Sequence, residues 1–139
     1  MTKVAEIMTK KVIKVYPSTP VYDAANMLLE SSISGMPVVD YAGHLVGIVS
    51  EKDVLKLLFA KDEDGKVVAD FMTINVKTFD ADEDIEKLCT FFMKNPFRRV
   101  PIVDKGRLLG IVSRRDILTF ILKKRGKDKK VEHRTTMED

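Results

Sequence analysis

At 139 residues, the chain is long enough for one compact domain or for two half-domains that share a core. Hydrophobic residues make up 45% and charged residues 32%, the balance of an ordinary globular protein. No apolar run is long enough to span a bilayer, and the first residues lack the apolar core of a signal peptide, so we expect a cytoplasmic protein with no membrane partner. The single cysteine, Cys89, excludes an internal disulfide, and its apolar neighbours predict a small buried residue.

The net charge of +3 is concentrated at one end of the chain. Residues 123–139 hold seven Lys or Arg and four Asp or Glu, whereas residues 1–122 hold seventeen of each sign. A basic segment can contact RNA, DNA or a membrane, but this one is short and mixed in sign. These features favour a solvated tail attached to a neutral body.

An internal repeat accounts for most of the chain. At an offset of 64 residues, Val4-Ala5 recurs as Val68-Ala69. The offset falls to 63 beyond the segment 41–43, because the corresponding turn at 105–106 is one residue shorter. A length change confined to a turn is compatible with strand pairing on both sides, so the sequence predicts two equivalent hairpins. The further matches are Met8-Thr9 with Met72-Thr73, Pro37 with Pro101, Val39-Asp40 with Val103-Asp104, Gly47–Ser50 with Gly110–Ser113, and Asp53 with Asp116.

Each unit is predicted to contain the elements β-α-β-β-α in that order. The first unit begins with a short helical turn at Val4–Met8 and a strand at Val12–Val15. A helix is expected from about Ser18-Thr19, with Pro20 in its first turn, because apolar residues then recur at i, i+3, i+4 and i+7. Those residues are Val21, Ala24, Ala25 and Leu28, and their counterparts behind an Asp82 cap are Ile85, Leu88, Cys89 and Phe92.

A hairpin and a final helix complete each unit. The segments Val38-Val39 and Val46–Val49 are apolar throughout, which favours burial on more than one side. A unit of about sixty residues buries too little apolar surface to fold well alone. We therefore expect an α/β fold in which the two repeats pack sheet to sheet with pseudo-two-fold symmetry. The predicted boundaries are 1–60 for the first repeat, 61–66 for a linker, 67–122 for the second repeat and 123–139 for a basic flexible tail.

The hairpin motifs resemble those of a known family. Pro-Val-Val-Asp at 37–40 and Pro-Ile-Val-Asp at 101–104 are followed by Gly-Ile-Val-Ser-x-x-Asp at 47–53 and 110–116. This pattern is similar to that of a tandem pair of cystathionine β-synthase (CBS) domains, often called a Bateman module. The resemblance covers residues 3–122. Either motif alone is weakly specific, whereas two copies in matching register with the same flanking elements are strongly specific.

The resemblance implies a regulatory sensor that binds AMP, ADP, ATP or S-adenosylmethionine in clefts between the repeats. It implies no required cofactor, a homodimer, and an effector protein that the sequence does not identify. In the family pattern, each cleft combines the serine and aspartate of one repeat with the first strand and the segment before the proline of the other. Carried over, one cleft contains Ser113, Asp116, Ile13, Ile33, Ser34, Gly35, Met36 and Pro37. The other contains Ser50, Asp53, Lys77, Phe97, Arg98, Arg99, Val100 and Pro101.

Elementary chemistry is consistent with these roles. A carboxylate at a helix start, such as Asp53 or Asp116, can accept hydrogen bonds from the two adjacent hydroxyls of a ribose. The serine three residues earlier, together with free N–H groups at the helix N-terminus, suits a phosphate or sugar oxygen. The backbone before the proline can bind an adenine ring between apolar walls such as Ile33 or Phe97.

The arginines distinguish the two clefts. The planar fork of arginine matches phosphate oxygens, so Arg99, and then Arg98, are the expected phosphate ligands. Arg114 and Arg115, beside Ser113, either contact phosphate in the other cleft or form a solvated helix face. We predict that the cleft with Arg98 and Arg99 prefers the more highly charged nucleotide.

A structural interpretation of the same residues remains open. Ser50-x-x-Asp53 and Ser113-x-x-Asp116 also fit the capping box of a helix N-terminus, with Asp in place of the usual Glu. A cap alone is worth only about 1 kcal/mol. The effect of replacing each aspartate on ligand binding therefore separates the two interpretations.

Other functional classes have weaker support. His44 lies in a hairpin turn and His133 in the tail, neither beside a residue that would make it a catalytic base, so no enzyme activity is expected. The acidic run Asp62-Glu63-Asp64 is expected to be a hydrated linker, and no metal site is predicted. A nucleic-acid-binding or protein-interaction module that uses the basic tail is the alternative to the nucleotide sensor.

Overall fold

The computed structural model describes residues 1–129, with four helices and five strands in two sheets. Residues 130–139, which include His133 and most of the expected basic tail, lie outside the described residues. The first repeat contains α1 (Val21–Glu30), β1 (Gly35–Val39), β2 (Leu45–Ser50) and α2 (Glu51–Phe59), and the second contains β3 (Phe79–Asp80), α3 (Ile85–Lys94), β4 (Arg99–Asp104), β5 (Arg107–Ser113) and α4 (Arg114–Lys124). Short 3-10 turns at Val4–Glu6 and Val68–Asp70 begin the two repeats.

The sheets of the two repeats have the same plan. β1 pairs antiparallel with β2, and β4 pairs antiparallel with β5. In the second repeat β3 adds a parallel strand beside β4, whereas the strand expected at 12–15 is reduced to a single bridge from Val15 to Val38. Lys11, Val12 and Ile13, which precede Val15, line a cavity, as their counterparts do before β3. The mixed helix and strand fold agrees with the prediction.

The turn of the first hairpin is held by its own aspartate. Asp40 Oδ1 accepts hydrogen bonds from the backbone N–H groups of Ala42 and His44, each at 2.9 Å. The bond from His44 is the main reason that the pKa of Asp40 lies below its usual value, and the bond from Ala42 acts in the same direction. Gly43 has a φ of 88°, a conformation that glycine adopts without strain. His44 is therefore part of a turn, as its position in the sequence suggests.

The beginning of each repeat packs into the core of the other repeat. Val4 is fully buried in a cluster with Leu88 and Ile102 of the second repeat. Its counterpart Val68 is fully buried in the cluster of the first repeat, beside Val38. The repeat in the sequence therefore gives the order of the elements, but not which core each opening segment packs into.

Two glycines make this exchange of segments possible. An ideal Cβ on Gly110 would lie 2.7 Å from the carbonyl oxygen of Thr9, and one on Gly47 would lie 2.9 Å from that of Thr73. The approach is this close because Thr9 exchanges both backbone hydrogen bonds with Ile111, as Thr73 does with Ile48. The glycine of each Gly-Ile-Val-Ser motif thus marks the crossing of a segment from the opposite repeat.

The starts of the α1 and α3 helices differ from expectation. α1 begins at Val21, so Pro20 occupies the position before the first turn and not a place within it. α3 begins at Ile85 with Asp84, not Asp82, at the capping position, and the Asp84 side chain makes no capping bond. The Asp84 carboxylate instead pairs with Lys3 of the crossing N-terminal segment at 2.9 Å.

Three further features bear on expectations drawn from the sequence. α4 continues through Lys124, two residues into the segment expected to be a tail, where basic side chains favour a helix C-terminus. Within residues 1–129, no helix has the length and apolar character needed to cross a membrane. Cys89 is half-buried against the second core, and burial raises the pKa of its thiol.

Candidate functional site

Both Ser-x-x-Asp motifs form complete capping boxes. The backbone N–H of Asp53 donates to Ser50 Oγ at 3.1 Å, and the Ser50 N–H donates to Asp53 Oδ2 at 3.1 Å. Ser113 and Asp116 form the same pair of bonds, at 3.1 and 2.8 Å. Within residues 1–129, only Oδ2 of each aspartate accepts these bonds, which leaves Oδ1 open to a ligand. The cap and a ligand-binding role are therefore compatible in one side chain.

The larger of two cavities at the junction of the repeats has a volume of about 490 Å³. This size is suitable for a small-molecule ligand. Ser50 and Asp53 reach it from the first repeat, and the segment before Pro101 reaches it from the second. All eight residues expected in this cleft line it, namely Ser50, Asp53, Lys77, Phe97, Arg98, Arg99, Val100 and Pro101.

An aromatic stack forms part of this cavity's surroundings. The ring of Phe97 stacks on that of Phe91, with centroids 5.7 Å apart and an interplanar angle of 6°. The Phe97 side chain is 49% exposed, so one of its surfaces remains accessible. Lys77 Nζ lies 5.8 Å from the Phe79 ring centroid and 5.9 Å from that of Phe91, distances typical of cation–π contacts. The cavity thus combines a flat apolar surface with cationic groups.

The smaller cavity, of about 250 Å³, contains the other serine and aspartate. Ser113 and Asp116 line it together with residues of the first repeat. Five of the residues expected in this cleft are present: Ile13, Ile33, Gly35, Ser113 and Asp116. Ile13 replaces the lysine that stands at the equivalent position of the larger cavity, so the smaller cavity has fewer cations.

Four residues expected in the smaller cleft lie elsewhere. Ser34, Met36 and Pro37 line the larger cavity, because β1 runs between the two cavities. Arg114 lines neither cavity. It is the first residue of α4, and its backbone N–H donates to the carbonyl of Arg98 at 3.0 Å, which joins the helix start to the entry of β4.

The sequence motifs did not identify several lining residues. Thr73, Asn75 and Val76 line the larger cavity, and Thr9, Lys11 and Val12 line the smaller one. These two sets are equivalent in the repeat, and both belong to the segments that cross between repeats. The repeat offset of 64 would have identified one set from the other, but only once it was known that these segments cross to the opposite repeat. Ile48, Pro96 and Ile111 complete the unexpected lining of the two cavities.

The acidic residues and the histidine of the described chain lie apart from one another or in turns. Within residues 1–129, no group of three or more His, Cys, Asp or Glu side chains is placed to hold a metal ion. His44 Nδ1 lies 3.5 Å from Asp40 Oδ2 in the hairpin turn, and neither residue lines either of the two cavities at the junction of the repeats.

The fold and its paired cavities define a protein made of two similar halves. The CBS domain profile matches residues 4–60 and 68–123. The chain therefore belongs to the CBS domain family and carries two CBS domains in tandem, as the hairpin motifs indicated.

Solved structures of other CBS pairs superpose closely on the chain. The crystal structure of CBSX2 in complex with AMP has a TM-score of 0.80 and 34% identity, covering 90% of this chain and 99% of that one. CBSX2 is a protein of Arabidopsis thaliana. The CBS domain pair of protein MJ0100, in complex with 5′-methylthioadenosine and S-adenosylmethionine, has a TM-score of 0.73 and 32% identity, covering 88% of this chain and 98% of that one.

Some relatives carry the same module within longer chains. The inosine-5′-monophosphate dehydrogenase of Methanocaldococcus jannaschii is 39% identical over 117 residues, which are 84% of this chain but 23% of the enzyme. The chain spans 42% and 74% of the lengths of two other curated relatives. CBS pairs similar to this one thus occur in chains of different lengths, one of which is an enzyme.

Proposed function

We propose that the chain is a regulatory CBS-pair module that binds adenosine nucleotides in the two clefts and acts as an energy or metabolite sensor. The observation that carries the proposal is the larger cavity. There Asp53, with one carboxylate oxygen open, faces Arg98, Arg99 and the accessible surface of Phe97. Carboxylate, guanidinium and aromatic groups are the partners that a ribose, a phosphate and an adenine ring require.

Each group has a definite role in the larger cleft. Asp53 accepts hydrogen bonds from the ribose hydroxyls while its Oδ2 keeps the helix capped. Arg98 and Arg99 bind phosphate oxygens, and Lys77 adds a further positive charge. The adenine ring lies between apolar walls and hydrogen-bonds to the backbone before Pro101. The AMP complex of CBSX2 supports this proposal by similarity.

The smaller cleft binds the same class of ligand through Ser113 and Asp116, with Ile13 and Ile33 as apolar walls. Its lower cationic content favours AMP, or an adenosine compound without phosphate groups, over ATP. The 5′-methylthioadenosine and S-adenosylmethionine complexes of the MJ0100 pair support the second ligand class.

We further propose that the module has no catalytic activity of its own and signals from the cytoplasm to an effector protein, as a homodimer. Exposed apolar side chains recur at equivalent positions of the two repeats, which supports pairing of two copies through their helices. Leu55 and Leu118 are 65% and 58% exposed, and Phe59 is 88% exposed. Sedimentation of the purified protein measures this assembly directly.

Isothermal titration calorimetry with AMP, ADP, ATP and S-adenosylmethionine tests the proposed function. We expect Asp53→Ala to abolish binding in the larger cleft and Asp116→Ala to abolish it in the smaller one. If a folded wild-type sample binds none of the four ligands, the nucleotide sensor is excluded, and the basic tail with a nucleic acid or protein partner becomes the leading hypothesis.

Matched variants separate ligand binding from helix capping. Asp53→Glu and Asp116→Glu restore the usual capping-box residue but displace the carboxylate. We expect the alanine variants to lose about 1 kcal/mol of unfolding free energy and the glutamate variants to lose less. The glutamate variants should bind the nucleotide at least tenfold more weakly in the altered cleft, where the alanine variants bind none. Normal binding by the alanine variants would reduce the aspartates to helix caps.

A further inference from the structure

Three residues line both cavities at the junction of the repeats. They are Gly35 at the start of β1, Arg99 at the start of β4, and Ile111 in β5. Of these three, only Arg99 carries a charge. Arg99 therefore borders two clefts that, in the proposed function, each receive a phosphate or another polar group of an adenosine ligand.

The repeat makes this position asymmetric. At the offset of 64, the counterpart of Arg99 is Gly35, which has no side chain. A symmetric module would place one guanidinium on each side of the junction, but here a single guanidinium serves both. The backbone of Arg99 pairs with that of Ser113, the serine of the smaller cleft, although the family pattern assigns Arg99 to the larger one.

Arg99 is free to serve either cleft. The ion pairs found within residues 1–129 involve other side chains, and Arg99 is exposed. Without it, the larger cavity retains the cationic side chains Arg98 and Lys77, whereas the smaller cavity retains only Lys11. The smaller cleft therefore depends more strongly on Arg99 for binding an anion.

We propose that Arg99 couples the two clefts negatively for phosphorylated ligands, an inference that rests on the proposed function. A phosphate in one cleft recruits the planar fork of Arg99 in a bidentate contact. The other cleft has then lost the Arg99 cation, and it lies near the negative charge of the bound phosphate. A second phosphate therefore binds there more weakly. Adenosine, which has no phosphate, binds the two clefts independently.

Calorimetry with AMP and with adenosine tests this coupling. Asp53→Ala and Asp116→Ala each leave one working cleft, and their isotherms give the affinity of each cleft alone. In the wild-type protein, the cleft that fills second should bind AMP about tenfold more weakly than the same cleft does in the single-cleft variant. A tenfold change lies within the usual range of coupling between sites. For adenosine, the wild-type isotherm should equal the sum of the two single-cleft isotherms.

Two arginine variants identify the cause. In an Arg99→Ala background, AMP should bind each cleft with the same affinity whether or not the other is occupied. Arg98→Ala, which alters only the larger cleft, should weaken that cleft but keep the coupling. Independent AMP binding by the wild type would overturn the coupling alone, as would coupling that persists undiminished in Arg99→Ala. Absence of binding by adenosine and by all four of AMP, ADP, ATP and S-adenosylmethionine would overturn the proposed function and the coupling with it.

Discussion

Single aspartates perform two tasks in this fold. Asp53 and Asp116 each use one carboxylate oxygen to hold a helix start, and each residue also lines a cavity at the junction of the repeats. The Ser-x-x-Asp spacing could predict the cap, since that geometry is local. It could not predict by itself that both residues reach the junction of the repeats, which depends on how the hairpins pack. The family resemblance supplied that part.

The charges around the larger cavity lead to a prediction about ligand preference. Arg98 lines only this cavity, so Arg98→Ala should lower the preference of the larger cleft for ATP over AMP, because the additional phosphates lose a bidentate partner. Competition between the two nucleotides in the Asp116→Ala background measures the larger cleft alone.

Arg115 provides a control for this experiment. It lines neither cavity at the junction, so Arg115→Ala removes the same charge at a distance from the ligand. We expect this variant to keep the wild-type preference. An unchanged preference in Arg98→Ala would show that the charge of this arginine does not select the nucleotide.

At the scale of elements, the glycines of the two hairpins mark where segments cross. The sequence showed that Gly47 and Gly110 recur, but a recurring glycine has several explanations. The structure identifies one, the close approach of the Thr73 and Thr9 carbonyls. The helices and hairpins were predictable from local patterns. The Asp82 cap was predicted wrongly, because α3 begins two residues later than expected and Asp84 occupies the capping position.

Substitution of these glycines should destabilise the protein. Gly47→Ala and Gly110→Ala place a Cβ against backbone oxygen, and overpacking of this kind costs about 1–3 kcal/mol. Gly35→Ala is the graded control, since its Cβ would lie 3.3 Å from the nearest atom. Urea denaturation should rank Gly35→Ala as the mildest of the three variants. Equal stability of all three would contradict the close-approach explanation.

At the scale of the whole molecule, the two repeats are joined by exchange of their first segments. The core of the second repeat contains Val4, from the start of the first repeat. The core of the first repeat contains Val68, from the start of the second repeat. The sequence predicted two repeats with a shared body, but not this arrangement. Both segments look alike, so internal similarity cannot distinguish packing within a repeat from packing between repeats.

Truncation of Val4 tests the exchange. Val4→Ala removes about two methylene equivalents from a full core and should cost about 2 kcal/mol. Hydrogen exchange should accelerate in residues 85–117, which belong to the second repeat, more than in the first repeat. Lys3→Ala breaks only an exposed ion pair and should have a small effect. Faster exchange confined to residues 21–59 would contradict the exchange of segments.

The hairpin turns limit where a foreign sequence can be inserted into this protein. The N–H of Leu45 donates to the Gly106 carbonyl at 2.9 Å, and the N–H of Leu108 donates to that of Gly43 at 3.0 Å. Exposed turns usually tolerate insertions, but each of these turns is hydrogen-bonded to the other. A reporter domain inserted there would separate the two halves. Gly65 lies in the connection between the repeats and has open space around it. It is therefore the suitable site for inserting a reporter domain to make a nucleotide biosensor.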